Sequence, residues 1–224
     1  MTDLRFLGRS SIQLISTKDN LIIDPNFVVE PKGGIQHVFI THGREGYIPE
    51  EKLKELASKY SAQAEKEEKG EDEEESEKEE LIFYGPKKLK DHLQFNVKAL
   101  KSKKRIKFNE LEVTSYEVDC IQEDKTCFAY KITRGEINVL HCSDTYEFST
   151  ALRDLKNQVD YCFISCDKDH FEDYIEFVRE ISPKITFPIY FEPTETENAK
   201  KLVEALNEKN LDAKFIDTGT EFEF

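Results

Sequence analysis

Residues 37–51, HVFITHGREGYIPEE, hold the most suggestive chemistry in the chain. An apolar run ends in Thr41-His42-Gly43, and a turn follows. A histidine fixed on a loop at a strand end is a good ligand for zinc or a similar divalent cation. Two such cations close together hold a hydroxide nucleophile at neutral pH and polarise a substrate oxygen. That arrangement needs further histidines and carboxylates, and the residues that follow, Arg44, Glu45, Gly46 and Tyr47, bring no second histidine. Arginine stays protonated and has no lone pair to offer a metal. The motif therefore reads as a two-metal site, a rebuilt one, or one whose charge has been taken over by other groups.

Other reactive constellations are sparse. There is no P-loop and no GxGxxG, and Ser10-Ser11 lie in a turn with no GxSxG around them. The five cysteines (Cys120, Cys127, Cys142, Cys162 and Cys166) are an odd number without a CxxC. They are expected to be reduced, mostly buried thiols of a cytosolic protein. Cys142 lies two residues before Asp144, on the same face if the segment is a strand, and a carboxylate there raises a thiol pKa rather than activating it. SCDKDH gathers Cys166, Asp167, Asp169 and His170, where Asp169 and His170 read as a cap and a surface residue at a helix start. His141 reads as a strand residue facing a neighbour, and His37 and His92 take no role.

The elements that must position these residues are short. LRFLG, SIQLIS, NLIIDP and HVFITH read as strands of a meander, broken by TKDN and EPKGG. IPEEKLKELASKY reads as a helix with Pro49 at its start and Leu53, Leu56 and Ala57 on one buried stripe. LIFYGPKKLKDHL reads as strand, turn and helix. NVKAL, KRIKF, LEVTSYEVD, TCFAYKIT and INVLHCSDT form a second run of strands, joined later by DYCFISC and KITFPIYF. STALRDLKNQ, HFEDYIEFVREIS and ETENAKKLVEALNEKN read as helices, and DAKFIDTGTEFEF closes as a strand, a turn at Gly219 and a short edge. Two strand groups, each followed by helices, bury every apolar face as two packed sheets with helices outside. Residues 61–80 differ in kind, with eleven acidic residues against three lysines. Such a run cannot bury enough surface to offset its ordering entropy and is expected to be a disordered insert.

In this order the pieces resemble the metallo-β-lactamase-fold superfamily, in its compact single-domain form. LRFLGRSS is similar to the family's opening strand and turn, LIIDP to the next strand end, and HVFITHG to the strand that delivers the metal motif. INVLHCSDT is similar to the Gly-Asp-Thr segment, and DYCFISC and PKITFPIYF to the last core strands. The resemblance spans nearly the whole chain apart from the acidic insert. It implies an α/β protein, a four-layer αββα sandwich of two mixed β-sheets flanked by helices, with residues 1–224 as one domain.

The family's ligands are a His-x-His-x-Asp-His motif after a threonine, then a histidine, a bridging aspartate and a last histidine. By the resemblance, His42 matches the first ligand and Asp144 the bridging aspartate. Arg44, Gly46 and Tyr47 stand where His, Asp and His belong, Tyr190 where the last His belongs, and Arg9 where the opening turn often has His. Asp119 or Cys120 lies near the remaining histidine position. A buried carboxylate left without a cation is costly, so Arg44 and Arg9 are expected to neutralise Asp24, Glu45 and Asp144 by ion pairs. On this reading the cleft of Arg9, Asp24, His42, Arg44, Glu45, Tyr47, Asp144 and Tyr190 is vestigial and holds no cofactor. The protein has then lost hydrolysis and serves a binding, scaffold or regulatory role toward an unknown protein partner or small ligand. The alternative is a mononuclear site for zinc or another divalent metal on His42, Asp144 and Asp119, with Cys120 or His170 as further donors. Such a site would hydrolyse a phosphoester, lactone or other ester.

The net charge of −14 argues against coating nucleic acid or an anionic membrane. No run is long enough to span a bilayer and the N-terminus lacks a signal-peptide plan, so a cytoplasmic location is expected. The lysine-rich residues 87–107 follow the acidic run and could latch onto it, although two solvated charge-rich segments is the simpler reading. No oligomeric state follows from the sequence.

Overall fold

A computed structural model describes residues 2–62, 81–120 and 126–223. The acidic run expected at 61–80 lies, beyond Ala62, outside the described residues. β1 (Asp3–Gly8), β2 (Ser11–Ile15) and β3 (Asn20–Ile23) form the antiparallel meander that their turn-linked alternation predicts. β4 (His37–Phe39) then pairs parallel to β3, and β5 (Ile82–Gly85) and β6 (Asn96–Ala99) continue in parallel. The long loop between β3 and β4 makes room for the crossover that parallel pairing needs, so the meander stops one strand earlier than expected. β13 (Glu221–Glu223) covers β1, giving seven strands in the order β13-β1-β2-β3-β4-β5-β6.

The second sheet has six strands. β7 (Arg105–Lys107), β8 (Glu112–Asp119), β9 (Thr126–Arg134) and β10 (Ile137–His141) are antiparallel. β11 (Tyr161–Ser165) and β12 (Ile185–Ile189) extend the sheet in parallel from β10. Around the sheets lie α1 (Glu50–Glu55), which continues as a wider turn through Tyr60, α2 (Thr150–Arg153), α3 (Phe171–Ile181) and α4 (Glu197–Glu208). The helix expected in LKDHL is only a short 3-10 turn at Lys87–Asp91, and the strand expected in DAKF is a single bridge between Ala213 and Thr186. Among the described residues, no helix is long and apolar enough to cross a membrane.

Packing explains why β3 and β4 read as unbroken apolar runs. Leu21, Ile23 and Phe39 share a buried cluster with Phe128, Tyr130 and Ile132 of the other sheet, whereas Ile22, Val38 and Phe83 pack with Leu53, Leu56 and Tyr60. Strands covered on both faces lose the polar alternation of a half-exposed sheet. Tyr174, Phe177 and Val178 of α3 and Leu202 and Leu206 of α4 join the first cluster. Each such fully buried side chain stabilises the fold by roughly 1.5–3 kcal/mol. The four layers are thus helix, sheet, sheet, helix. Two strand edges, β6 and β7, expose Lys98, Arg105 and Lys107, charges that discourage edge-to-edge pairing with another chain.

Asp19, in the β2–β3 turn, ties the two sheets together. It accepts from the amides of Glu110 at 2.5 Å, Leu111 at 2.9 Å and Asn109 at 3.2 Å, and from the Asn109 side chain at 2.9 Å. Burial opposes the charge, but these donors together outweigh it and hold the carboxyl below its usual range. A lowered folded pKa means that the stabilisation is complete above the unfolded value and is lost as pH falls through the folded one. Asp19→Ala should therefore cost roughly 2 kcal/mol at neutral pH, with the deficit shrinking below about pH 4. Urea unfolding from pH 7 to pH 3 checks this, and a deficit that stays constant on acidification would contradict it.

Candidate functional site

The site forms where four strand ends of the two sheets meet. Asp24 ends β3 in a left-handed turn (φ 46°) and is wholly buried. Its Oδ1 accepts the Thr41 amide at 2.8 Å, and its Oδ2 accepts the hydroxyls of Thr41 at 2.7 Å, Tyr47 at 2.8 Å and Tyr190 at 3.1 Å. The two phenol oxygens also lie 2.9 Å apart. Burial, then the Asp24 charge, pushes the Tyr47 phenol well above its ordinary range. Burial, then Tyr47 and the Asp24 and Asp144 carboxylates, does the same to Tyr190. Both tyrosines are therefore neutral donors, and the Asp24 carboxylate is held by hydrogen bonds rather than by a guanidinium.

This corrects the expected arginine substitution. Arg9 pairs with Glu192 at 2.9 Å and donates to Asn26 at 2.8 Å on the cleft rim. Arg44 lies over the Tyr47 ring, 5.2 Å from its centre. Among the described residues, no ion pair joins either arginine to Asp24, Glu45 or Asp144. Glu45 is exposed in a separate depression shared with Lys88 and His92. Gly46 takes φ 72° in an exposed turn, a conformation that asparagine and aspartate tolerate poorly compared with glycine.

His42 is the hinge of the site. Its backbone bridges Cys127 across the two sheets, and the Phe128 amide donates to the Thr41 carbonyl at 2.9 Å. Its Nδ1 lies 2.7 Å from Thr41 Oγ1, whose own proton goes to Asp24, so Nδ1–H donates to Thr41. Its Nε2 faces Asp144 Oδ1 at 2.7 Å. A bare nitrogen lone pair and a carboxylate repel at that distance, so either a proton on Nε2 or a cation between them completes the contact. Metal-bound histidines are oriented in the same way, by a polar partner on the other ring nitrogen.

The sequence leaves the third donor open between Asp119 and Cys120, and the structure brings Cys120 to His42. Asp119 at the end of β8 is exposed and bridges Glu147, in a depression with Tyr146 and His170. His170 stacks on Tyr146 and contacts Asp173 Oδ2 at 3.2 Å, so it is also away from His42. Strand alternation places Cys120, the residue after Asp119, on the other side. There Cys120 and Cys127 are joined as a disulfide, with 6.1 Å between their Cα atoms. The donor atoms of His42, Cys120, Cys127 and Asp144 all lie within 4.8 Å of one another. Cys127 was missed, although the spacing CIQEDKTC across a strand break hints that the two sulfurs share one hairpin end. The other cysteines remain buried thiols. Cys142 Sγ lies 3.7 Å from Cys162 Sγ, and burial pushes the Cys166 thiol up to about 12. His141 is buried and donates to the Ser10 carbonyl at 2.9 Å, as expected of a strand residue facing a neighbour.

Beside this cluster opens a cleft of about 1060 Å³, reached by Arg9, Arg44, Tyr47, Asp144, Lys168 and Tyr190. No protein-family model and no curated protein sequence matches the chain. Solved structures do. Igni18, a metallo hydrolase from Ignicoccus hospitalis, superposes at a TM-score of 0.73 with 13% identity, over 100% of this chain and 99% of its own. YhfI from Bacillus subtilis, a metallo-β-lactamase-fold protein, gives 0.71 with 13% identity over 100% and 99%. The chain has the metallo-β-lactamase fold. Zinc-bound PqqB from Methylobacterium extorquens shares it at 0.63, with 11% identity over 96% and 87%. The expectation that the metallo-β-lactamase-like site holds no cofactor is therefore corrected. With Cys120 and Cys127 reduced, the four converging donors fit a single divalent cation, and metal-binding proteins stand among the fold's neighbours.

Proposed function

We propose that this chain is a one-cation protein of the metallo-β-lactamase fold, and that its cleft binds a small polar ligand rather than hydrolysing one. The observation that carries this reading is the closed set of hydrogen bonds on Asp24. Tyr47 and Tyr190 stand at positions that the family resemblance gives to histidine ligands. Both spend their hydroxyls on Asp24 and stay protonated, so a second cation finds no ligands beside the first. A bridging hydroxide between two metals, the family's nucleophile, then has no seat. His42, Asp144 and the reduced sulfurs of Cys120 and Cys127 are the residues that would hold the one cation, which when bound would supply positive charge that fixes these side chains beside the cleft. Thr41 fixes the His42 ring, and Asp144 faces the cleft. The cleft is of the size that small-molecule sites have.

One observation favours a second reading, ester hydrolysis at a single metal: Asp144 is both a member of the donor cluster and part of the cleft lining. The reduced, zinc-supplemented protein, assayed on a chromogenic phosphodiester, a phosphomonoester and a lactone, separates the two. The expected result is close to one ion per chain and no turnover above that of His42→Ala. Turnover lost in both His42→Ala and Asp144→Ala would establish the second reading, and two ions per chain would defeat both.

A further inference from the structure

We propose that Cys120 and Cys127 are a redox gate on the cation position: as thiolates they complete a zinc-class site with His42 and Asp144, and as a disulfide they close it. The inference rests on the one-cation reading above and adds the chemistry of its ligands and its control.

Two independent features place the sulfurs. The His42–Cys127 backbone bridge holds Cys127 beside the imidazole. The end of β8 brings Cys120 to a Cα separation of 6.1 Å from it, inside the range that a disulfide spans. The same two sulfurs lie within 4.8 Å of His42 and Asp144 donor atoms. The geometry thus serves two mutually exclusive bonds. Disulfide sulfurs carry no charge and are weak donors, whereas the thiolate is the metal-ligating form of cysteine. Two thiolates, one carboxylate and one imidazole match the ligand types and the number of a closed tetrahedral zinc site. Soft sulfur donors also select against magnesium, calcium and manganese. A closed set leaves no position for a water nucleophile, in keeping with the binding role proposed above.

The chemistry balances with a small-molecule disulfide as oxidant. Cys120, half-buried, is the sulfur that such a reagent reaches first, and Cys127 is buried. The Cys120 thiolate attacks one sulfur of the reagent, a mixed disulfide forms, and one thiolate leaves. The Cys127 thiolate then attacks the Cys120 sulfur, forming the protein disulfide and releasing the second thiolate. Two cysteines lose one electron each, and the reagent gains both. The cluster thereby loses two negative charges and both sulfur ligands. Cys142, Cys162 and Cys166 are buried, so the exchange is confined to the pair.

The test uses the full chain, reduced, loaded with zinc and treated with oxidised glutathione. Zinc is followed with a chromogenic chelator, thiols are counted after denaturation, and the disulfide is mapped by mass spectrometry of peptides. The expected result is one zinc per reduced chain, a fall from five thiols to three, a Cys120–Cys127 peptide, and release of the zinc in step with it. Cobalt in place of zinc should give a thiolate charge-transfer band that is absent from a folded Cys120→Ser/Cys127→Ser variant. Zinc retained after the disulfide has formed would overturn the gate and leave the one-cation reading standing, as would an unchanged cobalt band in the double variant. A reduced protein that takes up no zinc, or two ions, would overturn both.

Discussion

Asp24→Ala should destabilise the protein by roughly 4 kcal/mol, more than any other single change in the cleft. The substitution leaves the Thr41 amide, the Thr41 hydroxyl and the phenols of Tyr47 and Tyr190 without their shared acceptor. Each orphaned buried donor costs about 1–3 kcal/mol. The sum is not reached, because Tyr47 and Tyr190 already lie 2.9 Å apart and can satisfy one another in part. Alanine adds about 1 kcal/mol of backbone strain, since the residue sits at φ 46°, which asparagine and aspartate tolerate better. Asp24→Asn keeps one acceptor oxygen and the turn geometry but aims an amide at the hydroxyls, so about half the loss is expected, roughly 2 kcal/mol. Urea denaturation at pH 7 with an unchanged m-value measures both. An alanine variant within about 1 kcal/mol of the parent would mean that water replaces the carboxylate without loss, and the closed cluster would not be the site's keystone.

His42→Ala should weaken zinc binding by at least ~100-fold, because losing only an outer hydrogen-bond partner of a ligand already costs 10–100-fold. Thr41→Val is the graded companion. It removes the oxygen that accepts from His42 Nδ1 while keeping the shape, and roughly tenfold weaker binding is expected. Competition with a chelator of known affinity reads both values on reduced protein. His42→Ala binding zinc as tightly as the parent would move the cation away from this cluster. Thr41→Val with no effect would mean that packing against the Tyr47 ring, whose centre lies 4.0 Å from that of His42, orients the imidazole unaided.

The fold was legible because it is written in patterns that do not depend on distant partners. The runs ending at Asp24 and His42 and the amphipathic stripe of α3 survive as strands and a helix, because burial on both faces or on one stripe fixes the periodicity directly. Short or single-bridge elements were harder: Lys87–Asp91 shrank to one turn and DAKF to a bridge, where tertiary contacts rather than local preference decide length. At the site, the apolar run before it marks His42 and the family resemblance marks Asp144, and the structure brings them to 2.7 Å. The expected ion pairs of Arg44 and Arg9 with Asp24 do not form because four neutral donors already occupy its carboxylate, a solution that leaves no charge pattern in the sequence. Between the two candidates Asp119 and Cys120 the choice depends on which way each side chain faces, and neighbours along a strand face opposite ways, so only the structure brings Cys120 to the cluster. Cys127 was invisible for a topological reason, since its contact with His42 crosses from one sheet to the other.

Eight non-glycine residues among those described have positive φ, and four of them, Arg9, Asp24, Ser143 and Tyr190, stand around the cleft at 55°, 46°, 66° and 66°. For ordinary side chains this backbone state costs about 1 kcal/mol each. Few surroundings favour it less than a bulky tyrosine or arginine. The main chain at these four corners is thus held in a strained state by the packing around it. A designer wishing to install new chemistry would find the aiming already done. Reach and donor atoms would need choosing, but the directions from which side chains enter the cleft are fixed by the backbone.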